Sequence, residues 1–167
     1  MTVYVLMLLL FFPSIPNSER QHDREAEDDI REAVLRHMFE HEARQQKAYT
    51  KILFISVEKK DPDDKFIARF KGQTPPVKKV SESVIKGDMG SVVDKKTGQQ
   101  GIIYRAGKVR WINENEAEVD GSYRVANLFA GGCSYRVVRD EDKWMVKECK
   151  GNIALKVRRV RPMSDST

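Results

Sequence analysis

Apolar residues recur at helical spacing in one long segment near the start of the chain. Between Arg24 and Lys47 there is no Gly or Pro, and Ile30, Val34 and Met38 fall on one side of a helix. Acidic residues crowd the first turn and basic residues the last, as the helix dipole favours. We therefore predict a long amphipathic helix over this segment.

The pattern changes to a period of two after residue 77. An apolar strand, Tyr49–Val57, precedes this region, and a short helix is predicted over Asp63–Phe70. The strands predicted after residue 77 are Val77–Ile85, Ser91–Asp94, Gly101–Ile112, Glu116–Leu128, Cys133–Arg139 and Lys143–Cys149. Short polar connections join the last four, which predicts that they pair as antiparallel neighbours.

A long helix followed by a β-meander has one economical packing arrangement. The sheet curves and the helix covers its concave face, so that both apolar surfaces leave water. We predict an α+β fold in which the long N-terminal helix packs on the concave face of a curved antiparallel β-meander. In this prediction residues 29–155 form a single domain, with a polar linker at 19–28 before it and a basic tail at 156–167 after it.

An apolar run lies close to residue 1. Val3–Phe12 reads VYVLMLLLFF, and small or polar residues and two prolines follow it. A membrane-spanning helix needs about 20 apolar residues, whereas the apolar region of a secretory signal has this shorter length. We predict that residues 1–18 are signal-like and that the protein is secreted or periplasmic. The alternative is membrane association through residues 3–15 of an uncleaved N-terminus.

Composition and charge fit one globular domain with a basic excess. The chain has 167 residues, of which 40% are hydrophobic and 33% charged, and its formal net charge is +5. Its two cysteines exclude a four-thiolate zinc site and a disulfide-rich scaffold. Much of the excess charge lies between Lys156 and Arg161, where no aromatic residues alternate with the bases as single-stranded nucleic acid requires. We expect no nucleic-acid partner.

Four segments together resemble a group of small bacterial exported proteins without an assigned function. They are DIREAVLRHMFEHEARQQ, DPDDKFIARFKGQTPPVKKVS, DKKTGQQGIIYR and the meander from KVRWINENEAEVDGSY to GGCSYRVVRDEDKWMVK. The resemblance covers about residues 29–149 and implies a fold similar to the cystatin-like and nuclear-transport-factor-2-like cone. That superfamily includes ketosteroid isomerases, dehydratases and proteins that only bind or assemble, and its cone usually leaves a pocket between helix and sheet.

Five side chains are candidates for the lining of such a pocket. They are His41, Tyr104, Arg105, Tyr123 and Tyr135. The sequence does not decide which face of each strand points inward, and tyrosine in a meander often serves cross-strand packing. No acid–base set can be assembled from these residues, so we assign no catalytic residue.

The function expected from these features is an exported binding or interaction module for a small molecule or a protein. One alternative is a small pocket enzyme of the isomerase or hydrolase type, with its site in the helix–sheet cavity. A second alternative is a membrane-tethered structural partner. By analogy with other sheets of this kind, a homodimer through the outer face of the sheet is a further expectation.

One short motif suggests metal chemistry. His37, Glu40 and His41 form an H-x-x-E-H sequence, and two histidines one helical turn apart can bind zinc on one face. The third histidine of the chain, His22, lies in the predicted linker. We therefore expect neither a metal nor a cofactor, and we interpret His37 and His41 as residues at the edge of the core.

The two cysteines fall on strands that are predicted neighbours. A hairpin turning over Asp140–Asp142 would place Cys133 directly opposite Cys149 and Val137 opposite Met145. An oxidising compartment would permit a disulfide there, whereas a slip of one residue would put the two thiols on opposite faces. Both a disulfide and a pair of small apolar side chains remain open.

Overall fold

The structure is a computed structural model that describes residues 17–42, 48–127 and 129–151. The side chains of residues 17–23 and of residue 129 are not included in the description. The apolar run of the predicted signal-like segment and the whole predicted basic tail lie outside the described residues. The long helix was predicted to reach Lys47, and residues 43–47 also lie outside.

The long helix, α1 (Asn17–His41), begins well before the predicted start at Arg24. Residues 19–28 are therefore helical and do not form a separate linker. They are polar but contain no Gly or Pro, and polarity alone does not prevent a helix. The predicted apolar stripe is fully buried, since Ile30, Val34 and Met38 have no exposed surface.

Within the described residues that follow α1, the chain forms eight strands and one short α-helix. They are β1 (Ile52–Val57), α2 (Asp64–Ala68), β2 (Val77–Lys79), β3 (Ser83–Lys86), β4 (Ser91–Asp94), β5 (Gly101–Asn113), β6 (Glu116–Ala126), β7 (Phe129–Asp140) and β8 (Lys143–Lys150). The predicted strand over 77–85 is divided between β2 and β3, because a 3₁₀ turn at Val80–Glu82 separates them. The side chain of Asp63 caps α2 by accepting a hydrogen bond from the Phe66 N–H at 2.8 Å.

The main sheet is curved and mixed, with the strand order β2-β1-β5-β6-β7-β8. Strands β5 to β8 form the predicted antiparallel meander. The prediction of a wholly antiparallel sheet is wrong, because β1 lies parallel to both β2 and β5. The long crossover between β1 and β5 permits this pairing. The run ILFISV of β1, apolar except for the buried Ser56, is typical of a parallel strand that is covered on both faces.

The two faces of the sheet carry separate cores. On one face α1 packs across β5 to β8 and forms the larger core, which includes Leu35 and Val119. On the opposite face, called the outer face here, the β3–β4 hairpin covers a smaller cluster of Ile52, Phe54, Val92 and Ile103. The helix-on-sheet arrangement confirms the α+β class.

A buried arginine fixes the position of α1 relative to the sheet. Arg31 donates to the carboxylates of Glu27 at 2.7 Å and Glu58 at 2.6 Å, and to the Gly107 carbonyl at 3.5 Å. Glu58 follows β1 and Gly107 lies at an irregularity in β5, so one guanidinium joins the helix to two strands. Because its charge is paired, its burial does not leave an isolated ion in the core.

The register of the β7–β8 hairpin differs from the prediction. The turn contains two residues rather than three, so Asp140 pairs with Lys143, and the predicted pairing of Cys133 with Cys149 is wrong. A bulge between Arg136 and Val137 adds a second residue of offset and brings Tyr135 opposite Cys149. A total shift of two residues keeps both cysteines on one face. They form a disulfide between diagonal neighbours, with the two Cα atoms 5.8 Å apart.

Candidate functional site

Three of the predicted pocket residues lie together on the face of the sheet that α1 covers. Tyr104 on β5 is paired with Tyr123 on β6, with their ring centroids 6.3 Å apart, and Tyr135 lies on β7. Tyr104 and Tyr135 are almost completely buried, whereas Tyr123 is half-buried. We call these three residues the tyrosine cluster. It lies at the end of the helix–sheet layer that contains the last turns of α1.

Two glycines make room for the rings of this cluster. A Cβ atom at Gly121 would lie 2.5 Å from the Tyr135 ring and 2.8 Å from the sulfur of Met38. A Cβ atom at Gly131 would lie 2.9 Å from the Tyr123 ring. Each ring therefore lies over a glycine of the neighbouring strand, and this close approach is what a side chain at either glycine would prevent.

The last turns of α1 bring polar groups to the cluster. The Tyr135 hydroxyl donates to the Glu42 carboxylate at 3.1 Å, and the His37 ring packs edge-on against Tyr135 with a centroid distance of 5.7 Å. The His41 ring packs at a tilt against the His37 ring, with the centroids 4.4 Å apart, and nearly half of the His41 side chain is exposed. Glu42 carries no local signal in the sequence, and only the packing of α1 on the sheet brings it to Tyr135.

The electrostatics of the cluster favour neutral rings. Burial, and then the negative charge of Glu42, raise the pKa of Tyr104 and of Tyr135 above the ordinary value for tyrosine. Burial, followed by the neighbouring His41, lowers the pKa of His37. At neutral pH the tyrosine hydroxyls therefore act as hydrogen-bond donors, and the His37 imidazole carries no charge.

The H-x-x-E-H motif serves packing in the described structure. His37 and His41 contact each other ring to ring, and the Glu40 carboxylate lies 3.7 Å from His41. Within residues 17–42, 48–127 and 129–151, no group of three or more metal-binding side chains comes together.

Arg105 is separated from the tyrosine cluster by the sheet. It follows Tyr104 directly in β5, so its side chain lies on the outer face, and the expectation that it lines the same pocket is wrong. It borders a shallow depression with Glu58 and Asp120. Burial and the nearby Arg124 lower the pKa of Arg105. Homodimerisation through this face stays a prediction.

A cavity of about 280 Å³ adjoins the tyrosine cluster. It lies between the second half of α1 and strands β1 and β5, and we call it the tyrosine-end cavity. Its lining residues are Arg36, Phe39, Glu40, Thr50, Leu53, Gln73, Thr74, Pro75, Ile102 and Tyr104. The Arg36 guanidinium is held in place because it donates to Glu32 and to the Arg69 carbonyl, each at 2.8 Å. The wall is therefore part apolar and part polar.

The middle of the helix–sheet layer is filled. Val34, Leu35 and Met38 from α1 meet apolar side chains of the meander, and all three are fully buried. The tyrosine-end cavity opens beside Tyr104, at the end of this packed region.

The residues around the cluster can hold a small molecule by hydrogen bonds and aromatic contact. Thr50 and Gln73 supply polar groups to the cavity wall, and the Phe39 and Tyr104 rings supply apolar surface. The Tyr135 hydroxyl and the Glu42 carboxylate bond to each other outside this wall. A tyrosine with a raised pKa is poorly matched to general acid–base work near neutral pH, which favours a pKa close to 7. No protein-family model, curated protein or solved structure matches this chain.

Proposed function

We propose that this protein is an exported binding module that holds a small ligand in the tyrosine-end cavity and does not transform it. The observation that carries the proposal is the contrast along α1. Apolar side chains fill the layer at Leu35 and Met38, and a cavity opens where Tyr104 and Glu40 form the wall. The proposal includes a cystatin-like or nuclear-transport-factor-2-like cone as the fold, and removal of a signal in residues 1–18.

The cavity suggests the size and character of the ligand. A volume of about 280 Å³ is close to the lower limit of small-molecule pockets, so the ligand is a compact metabolite. Phe39, Leu53 and Ile102 provide apolar wall, and Thr50 and Gln73 provide polar wall. A molecule with an apolar body and one polar end matches this lining.

A closing substitution tests the cavity. Glu40 lines the cavity and its side chain is 73% exposed, so Glu40→Phe should block the entrance without disturbing the core. Glu25→Phe is the matched control, because Glu25 lies on the same helix, is 60% exposed and is absent from the cavity wall. A panel of small amines, carboxylic acids, nucleosides and monosaccharides is screened by thermal shift.

At least one chemical class should raise the melting temperature of the wild type and of Glu25→Phe, but not of Glu40→Phe. The cavity assignment would be overturned if no class stabilises the wild type. It would also be overturned if Glu40→Phe responds as the wild type does.

One arrangement favours the enzyme alternative. The Glu42 carboxylate, the Tyr135 hydroxyl and the His37 ring form a contiguous polar set beside the cluster, as an isomerase or hydrolase would need. Incubation of the stabilising compound with the protein, followed by mass spectrometry, distinguishes the two functions. Binding without conversion supports the module, whereas conversion that Glu42→Gln abolishes would establish the enzyme.

Export requires a separate measurement. No helix within the described part of the chain is long and apolar enough to cross a membrane. Mass spectrometry of the protein isolated from its native cell should find that the mature chain starts near residue 19. Recovery of intact Met1–Phe12 in the cytosol would contradict export, and recovery in a membrane fraction would support the tethered alternative.

A further inference from the structure

The opposite end of the helix–sheet layer carries an open groove with two tryptophans. Trp111 near the end of β5 and Trp144 near the start of β8 meet edge to face, with centroids 5.6 Å apart. The groove has a volume of about 670 Å³, and we call it the tryptophan groove. Its lining residues are Ala26, Glu27, Trp111, Asn113, Glu114, Arg139 and Trp144.

The two tryptophans differ in their contribution to the fold. Trp144 packs against the main core, whereas Trp111 remains 42% exposed although it lies in a concave surface. Water-exposed indole surface costs about 25 cal/mol per Å² relative to burial. A ligand that covers the Trp111 ring therefore recovers free energy that folding leaves unused.

The rim of the groove is polar and of mixed charge. Glu27 and Glu114 provide carboxylate acceptors, and Arg139 provides a guanidinium donor. Glu27 is oriented by Arg31 at 2.7 Å, and the Asn113 side chain is oriented by the backbone N–H of Asn115 at 2.9 Å. The Glu27 and Asn113 oxygens thus stand at set positions beside an aromatic surface, and the Arg139 guanidinium lies 3.7 Å from the Asp142 carboxylate at the rim.

This combination distinguishes between classes of ligand. Sugar hydroxyls both donate and accept, so they match carboxylates and a guanidinium together. A proline-rich peptide also docks on aromatic grooves, but it offers mainly carbonyl acceptors, which Glu27 and Glu114 cannot satisfy. Two carboxylates and one guanidinium also leave little net charge to attract a strongly charged ligand.

We propose that the tryptophan groove binds an oligosaccharide of equatorially linked pyranose units. Equatorial hydroxyls leave the two flat faces of each ring covered by C–H groups, and one such face stacks on the exposed side of Trp111. The hydroxyls around the ring edge bond to Glu27, Glu114 and Arg139. The volume is in the range of small-molecule pockets and admits a short oligosaccharide. This site is independent of the tyrosine-end cavity, because it lies at the other end of α1.

Intrinsic fluorescence tests the proposal directly. Trp111 and Trp144 are the two tryptophans of the chain, so its tryptophan emission reports on this groove. Titration with chitotriose or cellotriose should shift the emission to shorter wavelength and saturate. Calorimetry should then show that Trp111→Ala weakens binding by about tenfold or more, as truncation of an aromatic anchor does.

Two further variants keep the test decisive. Ile112→Ala removes a neighbouring apolar side chain that is 52% exposed but lies outside the groove, and it should leave the affinity unchanged. Glu114→Gln removes a rim charge in an exposed turn, where folding is insensitive, and should weaken binding severalfold. The proposal is overturned if neither saccharide changes the emission. It is also overturned if Ile112→Ala weakens binding as much as Trp111→Ala, or if a proline-rich peptide binds and the saccharides do not.

Discussion

The two ends of the helix–sheet layer both carry aromatic residues, but the rings are buried at one end and exposed at the other. At the tyrosine end, Tyr135 lies over Gly121 and reaches Glu42. At the tryptophan end, Trp111 is paired with Ala117 and remains 42% exposed. The glycine beneath Tyr135 lets its ring lie against the neighbouring strand. Tyr104 is buried without such a glycine, because Phe39 of α1 packs against it. Burial at the tyrosine end therefore depends on cover from α1 as well as on the residue beside the ring.

The strands β7 and β8 are also joined differently at the two ends. A two-residue turn joins them beside the tryptophan groove, and the Cys133–Cys149 disulfide joins them near the tyrosine cluster. Among the described strands β8 lies at the edge of the sheet, with β7 as its strand neighbour and α1 packed against it. The disulfide ties the last residues of β8 to β7 beside Tyr135.

The largest effect is expected from removal of this disulfide. Cys133→Ala with Cys149→Ala should lower the free energy of unfolding by about 3 kcal/mol, because the bond closes a loop of moderate length. Urea denaturation measures the loss, and hydrogen exchange should increase in β8 nearer to residue 149 than to residue 143. An equal increase in hydrogen exchange at both ends of β8, or an unchanged urea midpoint, would contradict a stabilising role for the disulfide. Ile112→Ala is the control and should change stability by less than about 0.5 kcal/mol.

The next effect concerns the glycine beneath Tyr135. Gly121→Ala should cost about 2 kcal/mol, because the new Cβ would meet the fully buried Tyr135 ring and Met38. Gly131→Ala should cost less, since the Tyr123 ring that it meets is half-buried and has room to move. Urea denaturation of both variants measures the two losses. A larger loss for Gly131→Ala than for Gly121→Ala would show that the Tyr135 ring does not pack against Gly121.

Removal of the Tyr135 hydroxyl should have a smaller effect. Tyr135→Phe keeps the ring over Gly121 but loses the hydrogen bond to Glu42, which predicts a loss of about 1 kcal/mol at neutral pH. Glu42→Gln keeps an acceptor for the hydroxyl and should cost less. If Tyr135→Phe is as stable as the wild type, the contact between the hydroxyl and Glu42 does not stabilise the tyrosine end.

Alkaline pH should weaken the tyrosine end in particular. The folded protein holds Tyr135 and Tyr104 neutral at a raised pKa, whereas the unfolded chain ionises them near pH 10.0. The associated stability is fully present below that pH and is lost as the pH rises further, toward the folded-state pKa. Urea denaturation between about pH 8 and pH 11 should show this decline. Tyr135→Phe should decline less steeply, and a parallel decline would refute the assignment.

A similarly small stability change is expected at the tryptophan end. Trp111→Ala should lower the free energy of unfolding by about 1 kcal/mol, well below the cost of a buried aromatic, because much of the ring is already in water. Denaturation followed by circular dichroism measures it without relying on tryptophan emission. A loss as large as that of the disulfide variant would mean that Trp111 is a core residue rather than a ligand platform.

The sequence predicted the elements that local periodicity controls. The stripe of Ile30, Val34 and Met38 identified α1, and the short polar connections identified the antiparallel pairing of β5 to β8. The start of α1 was placed too late because a polar segment was taken for a linker, although it lacks a helix breaker. The parallel placement of β1 was missed despite its almost continuous apolar run, which in hindsight is the signal for a strand covered on both faces.

The candidate site was only partly accessible from the sequence. Tyr104, Tyr123 and Tyr135 are among the five predicted pocket candidates, and so is Arg105, which lies on the other face. The sequence left the faces open because no local signal tells which side of β5 points inward. The contact of Glu42 with Tyr135, and the packing of tyrosine rings over Gly121 and Gly131, join elements that are separate in the chain, so local patterns do not reveal them. The signal that could have found the two ring contacts is a glycine directly or diagonally opposite an aromatic residue on the paired strand, as Gly131 is to Tyr123 and Gly121 is to Tyr135.

The sequence by itself determined most of the helices and strands, because the spacing of apolar residues and the turn residues control the backbone over a few neighbouring positions. The tertiary structure decided which face of each strand is buried and which residues pair across strands, because both depend on which strands lie side by side. The cysteines show the difference: a shorter turn and one bulge each shift the β7–β8 pairing by a residue, and together they keep Cys133 and Cys149 on one face. Either shift alone would have put the two thiols on opposite faces, since side chains alternate along a strand.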